Sequence, residues 1–318
     1  MRVIHGLENI GTDLRGCILS IGNFDGVHLG HQALLRRGAE LAREASGALV
    51  AMTFDPHPLA TIRPEHIPPT LTPTSEKLAR LADAGADAVV IVHADHGFLS
   101  LAADDFVQQV IVARCRAAGV VEGPSFTYGR GRGGDVAALR AAGARYGFRV
   151  DIAGPLEVDI APGRREVVSS SLIRRAIADG DMALATRALG RPYALIAPVV
   201  RGRERGRELG FPTANLAVSG QLLPAEGVYA GTATVSQRRY PAAISIGRAP
   251  TFEGADLLVE AYLVGFDGDV YGRTMRVEIE ARLRAQQKFA SVEELRAQMA
   301  RDVAAVRERH QCRSPRRP

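Results

Sequence analysis

The first half of the chain alternates short apolar, β-rich runs with longer stretches of helical periodicity, and this alternation limits its fold more than any other feature. The strand candidates lie at 17–22, 48–54, 88–93, 119–123 and 149–154. The helix candidates between them lie at 31–45, 75–84, 103–117 and 136–146. Because strands that alternate with helices pair in parallel through right-handed crossovers, we predict a doubly wound α/β domain with a parallel sheet.

The pattern changes after the stretch 169–193, where short strands follow one another between turn residues. These strand candidates lie at 194–200, 227–235, 240–246, 257–266 and 272–283. Such spacing predicts an antiparallel barrel or sandwich. The chain then closes with a helix that Ser291 and Glu294 open in capping-box spacing. One face of this helix is apolar and carries Leu295, Met299, Val303 and Val306.

A chain of 318 residues is long enough for two domains, which we place at 1–187 and 188–310, with a disordered tail at 311–318. The composition is 46% hydrophobic, and no apolar run reaches the roughly 18 residues of a membrane span, so we expect a cytoplasmic protein without a membrane partner. The net charge of +5 permits binding of phosphates or nucleic acid, or reflects a bias in base composition. The three scattered cysteines predict neither disulfides nor a zinc site.

A glycine-rich turn with two histidines joins the first of these strands to the first helix, in the sequence GNFDGVHLGHQ (22–32). Gly22 and Gly26 let the backbone turn tightly, and the N-terminus of the helix offers free N–H groups and a positive dipole end to an anion. The imidazoles of His28 and His31 can both hydrogen-bond one phosphate and stabilise its charge during an in-line displacement. A satisfied histidine pair is the alternative, but ligands of such sheets bind at the carboxyl ends of strands.

A second candidate anion site is the sequence SSSLIRR, in which Ser169, Ser170 and Ser171 precede a helix and Arg174 follows one turn later. Serine hydroxyls and free N–H groups can bind a phosphate, and the guanidinium adds a fixed charge. A serine N-cap with a solvent-facing arginine is the alternative if the motif is taken alone. Together with the histidine turn, the motif predicts the two ends of a triphosphate site.

Four motifs of this half stand in the order and spacing of a known enzyme family. They are GNFDGVHLGHQ, TFDPHP (53–58), SFTYGRGRGG (125–134) and SSSLIRR. They resemble the Rossmann-like adenylyltransferase domain of the bacterial bifunctional riboflavin kinase/FMN adenylyltransferases, which belong to the H-x-G-H nucleotidyltransferases. The resemblance implies that His28 and His31 hold the phosphates of ATP while the FMN phosphate attacks the α-phosphorus. It also implies that Ser169, Ser170 and Arg174 bind the far end of the triphosphate.

The same resemblance implies that further residues of these motifs bind the nucleotide or the flavin. They are Gly22, Asn23, Phe24, Asp25, Gly26 and Ser125. Ser125 stands where members of the family usually carry Asn or Asp, and it keeps a hydrogen-bonding group on a shorter side chain.

In the second half, the sequence GRELGFPTANL (206–216) joins a charged, glycine-rich segment to a Pro-Thr-Ala-Asn stretch. If this stretch is extended, Thr213 and Asn215 point to the same side, because alternate strand residues share a face. Two neutral oxygens suit Mg²⁺, which takes one or two protein oxygens and completes its shell with phosphates and water. Glu260 lies in an otherwise apolar strand and is a candidate general base for a hydroxyl nucleophile. A polar turn and a solvent-facing glutamate are the alternatives.

Five motifs of this half look like the riboflavin kinase module of the same family. They are RGRERGRELGFPTANL, GVYAGTATV, IGRAPTF, VEAYLVGFDGDVYG and LRAQQKF. The likeness implies a six-stranded antiparallel barrel with a C-terminal helix. It implies that Thr213 and Asn215 hold Mg²⁺-ATP and that Glu260 activates the 5′-hydroxyl of riboflavin. It adds Arg207 and Gly210 to the residues that bind ATP.

The leading hypothesis is therefore an enzyme of two activities that converts riboflavin to FMN and FMN to FAD with Mg²⁺ and ATP. We expect a monomer or weak homo-oligomer whose partners are small-molecule substrates and not nucleic acid. One alternative retains a single activity, and the other domain serves as a flavin-binding module. Another is an RNA-binding barrel, but the sequence has no Trp and only 5% aromatic residues on which bases would stack.

Overall fold

The computed structural model describes residues 1–202, 206, 209–248 and 257–313, so the predicted ATP ligand Arg207 lies outside the described residues. The chain divides into two compact units, Met1–Ser169 and Ser170–Pro318. This division falls before the two helices that precede the barrel, whereas the sequence places the boundary after residue 187.

The first unit is built on a six-stranded sheet. Its strands are β1 (Arg2–His5), β2 (Ile18–Ile21), β3 (Leu49–Phe54), β4 (Ala88–Val92), β5 (Gly119–Glu122) and β6 (Arg149–Ile152). They run in the order β1-β4-β3-β2-β5-β6 and every pair is parallel, which confirms the predicted doubly wound sheet. The winding changes direction between β2 and β5, and ligands of such sheets bind at the carboxyl ends of the strands at this switch point.

Helices cover both faces of this sheet. They are α1 (Leu29–Glu44), α2 (Pro58–Ile62), α3 (Thr74–Asp83), α4 (His96–Leu99), α5 (Ala103–Phe106) with its π-helical continuation (Val107–Arg114), and α6 (Val136–Tyr146). Short 3-10 turns lie at Leu7–Asn9, Thr12–Leu14, Pro64–His66 and Arg130–Arg132, and a hairpin consists of β7 (Glu157–Ala161) and β8 (Arg164–Val167). The strand β2 is buried along its whole length because Leu19 packs into the core on one face and Ile18 into the core on the other.

The second unit contains a closed antiparallel barrel. Its strands are β9 (Tyr193–Val200), β10 (Ala214–Leu216), β11 (Gly227–Val235), β12 (Arg238–Arg248), β13 (Leu257–Leu263) and β14 (Thr274–Arg284). Their order around the barrel is β10-β13-β12-β11-β14-β9, and β9 closes it by pairing with β10. The structure thus decides between the predicted barrel and sandwich in favour of the barrel.

Among the described residues of the second unit, helices lie at α7 (Ser170–Ala178), α8 (Met182–Leu189) and α9 (Val292–Arg313). The helix α8 packs against β9 and β14 of the barrel, which is why it belongs to this unit. The predicted apolar face of α9 is turned inward, and an ion pair of 2.8 Å between Arg284 on β14 and the buried Asp302 fixes the helix to the barrel.

The helix α9 extends to Arg313, three residues into the segment predicted as a disordered tail, because the chain keeps its helical hydrogen bonds beyond residue 310. The rest of that tail lies outside the described residues. In the part of the chain that the structure describes, no helix is long and apolar enough to cross a membrane.

Candidate active sites

The turn after β2 brings the two predicted histidines into contact. His28 caps α1, and its Nδ1 accepts a hydrogen bond from the backbone N–H of His31 at 3.3 Å. The two imidazoles stack with their centroids 3.6 Å apart and their planes at 17°. The ring of Phe24 meets His31 edge to face with 5.2 Å between centroids. Because His28 takes the capping position, the helix begins at Leu29, two residues before its predicted start.

Gly30 separates the histidines, and the space around it is tight. A Cβ atom at this position would lie 3.2 Å from Cε1 and Nδ1 of His28 and 3.5 Å from the carbonyl oxygen of Val168. Val168 directly precedes Ser169, which the sequence assigns to the triphosphate site. The chain before Ser169 thus passes close to the histidine turn.

The His31 imidazole is electrically neutral and incompletely bonded. Burial lowers the pKa of this imidazole well below its ordinary value, and the neighbouring His28 lowers it further. Its Nδ1 is buried without a hydrogen-bond partner among the described residues. A buried polar atom without a partner requires an explanation, and a ligand oxygen at the N-terminus of α1 would supply one.

Backbone hydrogen bonds and side-chain contacts fix the loop between β2 and α1. The buried carboxylate of Asp25 accepts hydrogen bonds from the backbone N–H groups of Leu71 at 2.9 Å and Thr72 at 3.2 Å. The exposed Asn23 places its Nδ2 atom 3.0 Å from Nε2 of His57, in the TFDPHP motif. Asp25 therefore fixes the loop by buried hydrogen bonds, whereas the Asn23 side chain remains accessible to a ligand.

The predicted glycines of this loop, Gly22 and Gly26, have roles in its backbone conformation and hydrogen bonding. The N–H of Gly22 donates to the carbonyl of Met52 on β3 at 3.0 Å, which continues the pairing beyond the end of β2. Gly26 has φ +87°, a conformation that glycine adopts without strain. Phe24 has φ +48° with its ring buried beneath the histidines, so it supports His31 and is not itself exposed to a ligand.

The other predicted residues of the adenylyl site lie on three segments. Ser125 is exposed in the loop after β5. Ser169 directly precedes α7 and belongs to the first unit. Ser170 is the first residue of α7 and Arg174 lies half-buried one turn later, and both belong to the second unit. The hydroxyls thus stand at the N-terminus of a helix, as the sequence predicts.

Two acid–base groups beside the histidine turn escaped the sequence-based prediction. Glu122 ends β5 at the switch point, and its buried carboxyl group accepts a hydrogen bond of 2.5 Å from the backbone N–H of Ile21 on β2. Burial raises the pKa of Glu122 well above its ordinary value, and the bond from Ile21 opposes this shift. The second group is Lys77, which is buried on α3. The scarcity of lysine, with only Lys77 and Lys288 in the chain, is the sequence feature that singles it out.

In the barrel, strand pairing assembles the second predicted site. Glu260 on β13 stands directly opposite both Asn215 on β10 and Ser245 on β12, the strands on its two sides. All three are half-buried while their neighbours along each strand are buried inside the barrel, so the row lies on the outer face. Thr213 precedes Asn215 by two residues, and its side chain is hydrogen-bonded to Glu260. The structure therefore brings Thr213, Asn215 and Glu260 together.

Neighbouring groups change the pKa of Glu260 and limit the space around Asn215. Burial raises the pKa of Glu260 above its ordinary value, and the hydrogen bond with Thr213 partly offsets this. A Cβ atom at Gly202 would overlap the side-chain amide of Asn215, so the chain before β10 passes directly over that amide. The predicted ligand Gly210 lies in a turn at φ +83°, where a glycine is favoured.

Ser245 and a neighbouring cavity with an aromatic wall extend the site beyond the predicted residues. The Nε2 group of Gln286, in the LRAQQKF motif, donates to Ser245 Oγ at 2.9 Å. A cavity of about 390 Å³ lies between the barrel and α9. Its aromatic wall is Phe211 and Tyr262, whose rings meet edge to face with centroids 5.4 Å apart. Tyr262 follows Glu260 by two residues on the same strand, so the cavity adjoins the row.

Comparisons with known proteins match both halves of the chain. The family model described as FAD synthetase matches residues 11–171, and that described as riboflavin kinase matches residues 189–310. The chain is 39% identical over 310 residues to the bifunctional riboflavin kinase/FMN adenylyltransferase of Escherichia coli (strain K12), with 97% of each chain covered. Proteins of the same name from Pseudomonas fluorescens and Haemophilus influenzae are 36% and 34% identical, over 96% of this chain and 97% and 98% of theirs.

A solved structure shares the whole architecture. It is the crystal structure of a protein named as a macrolide-efflux protein from Streptococcus pneumoniae, and it matches with a TM-score of 0.87 and 30% sequence identity over 96% of this chain and 99% of that one. That name refers to a different activity, whereas both family models and the relatives above are flavin enzymes by name. On those matches, the chain belongs to the family of bifunctional riboflavin kinase/FMN adenylyltransferases and carries both of its domains.

Proposed function

We propose that two separate sets of residues carry the two activities of the family in this chain. The barrel phosphorylates riboflavin with ATP to give FMN and ADP. The N-terminal domain transfers the adenylyl group of a second ATP to FMN and releases pyrophosphate. The observation that supports this assignment most strongly is the outer row of the barrel, where a hydroxyl, an amide and a carboxylate converge from two strands.

Glu260 is the general base of the kinase reaction. As the 5′-oxygen of riboflavin attacks the γ-phosphorus of ATP, its proton passes to the Glu260 carboxylate and the bond from that phosphorus to the bridging oxygen of ADP breaks. A carboxylate with a raised pKa is a stronger base, and Thr213 orients it through their hydrogen bond. Little else is required of the protein, because phosphoryl transfer depends mainly on positioning and on charge stabilisation.

Thr213 and Asn215 would hold Mg²⁺ beside this base. Their side-chain oxygens are neutral, hard donors on one face of the extended chain, which fits an ion that takes only one or two protein oxygens. No cluster of three or more His, Cys, Asp or Glu side chains within the described ranges is suited to a metal ion. When bound, the ion would offset the negative charge of the ATP phosphates. We assign Arg207 and Gly210 to the residues that bind ATP.

The cavity beside the row is the candidate site for the isoalloxazine ring. Phe211 and Tyr262 offer aromatic surface, and Val303 on α9 adds an apolar side chain. Sites for small molecules are typically concave and mostly apolar with a few polar groups that fix orientation. A flavin placed there would direct its ribityl chain toward Glu260, since Tyr262 and Glu260 share one face of β13.

In the N-terminal domain, His28 and His31 stabilise the charge that builds on the phosphates of ATP as the FMN phosphate attacks the α-phosphorus. The new bond is a phosphoanhydride, and the electron pair of the broken bond leaves with pyrophosphate. A phosphate nucleophile is already ionised at neutral pH, so the reaction needs no general base. Asn23 and Ser125 are exposed in adjoining loops and contact the nucleotide or the flavin.

Ser169, Ser170 and Arg174 bind the β- and γ-phosphates in this proposal. We therefore assign residues 1–187 to the adenylyltransferase function and 188–310 to the kinase function, although α7 and α8 pack within the second compact unit. Serine hydroxyls at a helix N-terminus with an arginine one turn later form a suitable anion site.

We also propose that the enzyme acts in the cytoplasm, as a monomer or weak homo-oligomer, on small molecules and without nucleic acid. Its three cysteines are free, and the two at Cys17 and Cys115 are buried, which suits a reducing compartment.

The test is chromatography of the products after the purified protein is incubated with Mg²⁺-ATP and either riboflavin or FMN. We expect riboflavin to give FMN and FAD, and FMN to give FAD. FAD from FMN with no product from riboflavin would leave one activity and make the barrel a binding module. The absence of both products would contradict the proposal.

A further inference from the structure

Lys77 carries a buried positive charge that the proposed mechanism does not use. It lies on α3 with only 8% of its surface exposed. Its Nζ donates to the backbone carbonyl of Asn23 and to Oγ1 of Thr53, both at 3.4 Å, which is long for a hydrogen bond. Within the described ranges it forms no ion pair with a carboxylate.

Burial of an ammonium group with so few partners is costly. Removing the charge from water favours the neutral amine, and burial accordingly lowers the pKa of Lys77. The carboxylates of Asp25, in the loop, and Asp55, after β3, oppose this shift from a distance. On its own helix, Glu76 is paired with Arg80 instead, at 2.7 Å. A charge kept at such a position commonly serves a functional site.

Lys77 is hydrogen-bonded to the loop that ends at His28. The carbonyl of Asn23 also accepts a hydrogen bond from Thr53 Oγ1 at 3.2 Å, so two donors converge on it. Phe24 at φ +48° and Val27 at φ +38° are non-glycine residues in left-handed conformations, which is unfavourable above all for a β-branched valine. Such backbone persists only where surrounding contacts over-determine it.

We propose that Lys77 is a positioning residue for adenylyl transfer, whose buried ammonium fixes the strained loop from Asn23 to Val27 and thereby the placement of His28 and His31. Asp25 anchors the same loop through Leu71, so the two charged groups hold it from two sides. The ammonium also lies behind a loop that is to receive phosphates, where its charge favours the bound anion. The inference rests on the roles proposed above for His28 and His31.

The test compares full-length Lys77→Met and Lys77→Arg with the wild type, using Arg80→Met on the same helix as the matched control. FAD formation from FMN is measured across pH, and riboflavin phosphorylation by the same sample reports on the other site. We expect Lys77→Met to lower kcat/KM for FMN by about 10- to 100-fold, the range that a misplaced catalytic group produces. Phosphorylation of riboflavin and all rates of Arg80→Met stay near the wild-type values.

The pH profile separates positioning from mere stabilisation of the fold. The wild type loses adenylylation as pH rises through the lowered pKa of Lys77, because the ammonium loses its proton there. This alkaline limb disappears in Lys77→Met and moves to higher pH in Lys77→Arg, whose guanidinium keeps its charge. A limb that is unchanged in both variants overturns the proposal, whatever the loss of rate.

The other possible results for the Lys77 variants also test the positioning role. If Lys77→Met does not fold, the limb of Lys77→Arg decides alone, and an unshifted limb refutes the positioning role. Wild-type adenylylation by Lys77→Met likewise overturns it. A wild type that forms no FAD, or a His31→Asn variant with full activity, contradicts the proposed function and removes the inference with it. Wild-type adenylylation by Lys77→Met beside an impaired His31→Asn contradicts the inference alone, so the two failures are distinguishable.

Discussion

In the proposed mechanism, the turn after β2 and the outer face of the barrel use opposite chemistry for the same co-substrate, ATP. The turn offers nitrogen atoms to a ligand, from two stacked imidazoles and the amides of a helix N-terminus, and the buried ammonium group of Lys77 on α3 lies behind it. The barrel presents oxygen: a hydroxyl, an amide carbonyl and a carboxylate. The nucleophile explains the difference. A flavin phosphate is already an anion and needs only stabilisation, whereas a ribityl hydroxyl is neutral and needs a base.

The two sites also differ in how they are held in place. The histidine turn contains residues at positive φ that buried side chains fix from below. The barrel site rests on ordinary strand register, with Asn215 opposite Glu260. We therefore expect substitutions near the turn to act through small displacements, and substitutions in the barrel row to act through the functional group that is removed.

The largest effect is expected from Glu260→Gln, which removes the proposed base from the barrel. Loss of a general base lowers rates by about 10²- to 10⁴-fold, so riboflavin phosphorylation should fall in this range while adenylylation of FMN is unchanged. Glu280→Gln is the matched control, since Glu280 is another half-buried strand carboxylate that accepts a hydrogen bond from a threonine, Thr232, at 2.9 Å. Both rates are measured on each variant.

The pH dependence sharpens this prediction. The active form of Glu260 is the carboxylate, so phosphorylation falls as pH decreases through its pKa. Because that pKa is raised, the loss begins at a higher pH than an ordinary glutamate would give, and the limb is missing from the residual rate of Glu260→Gln. An identical acid limb in that variant would show that another group is the base.

The second largest effect is expected from His31→Asn and His28→Asn. Removing a donor to developing charge costs about 10²- to 10³-fold in kcat, here in the formation of FAD from FMN, and the kinase rate is unaffected. The exposed His93→Asn serves as the control. Because the pKa of His31 is lowered, its protonation contributes no limb near its ordinary value of 6.5. A limb at that pH that vanishes in His31→Asn would contradict a neutral His31.

The smallest effect is expected from Gly30→Ala. The new methyl group lies 3.2 Å from the His28 ring, so the ring must shift by a few tenths of an ångström. A displacement well below 1 Å should lower adenylylation by about three- to tenfold. Gly154→Ala is the control, since a Cβ atom at Gly154 has no neighbour within 4 Å. Equal rates in the two variants would mean that the turn tolerates displacement and that the contrast with the barrel is overstated.

Much of the first site was predictable from the sequence because its parts are close along the chain. A strand, a glycine turn and a helix with His28 and His31 three residues apart leave few possible arrangements. The stacking of the two rings, the orphan Nδ1 of His31 and the burial of Lys77 were not predictable, because they depend on what packs above and below the turn.

The barrel site was likewise predictable from the sequence only in part. The alternation of strand residues predicts that Thr213 and Asn215 share a face. That Glu260 joins them depends on the pairing of β10 with β13 in one particular register, and a shift of one residue would turn Glu260 into the barrel. The contact between Gln286 and Ser245 likewise joins segments distant in sequence.

The sequence by itself thus determined the α/β class of the first domain, the antiparallel strands of the second, the histidine turn and the residue types of both sites, because periodicity, glycine and proline act through neighbours in the chain. Only the tertiary structure decided strand order, register, the closure of the barrel and which ionisable groups are buried. These features depend on the packing of the whole unit. The pKa of a buried group, and whether a buried nitrogen finds a hydrogen-bond partner, depend on residues that are distant in sequence.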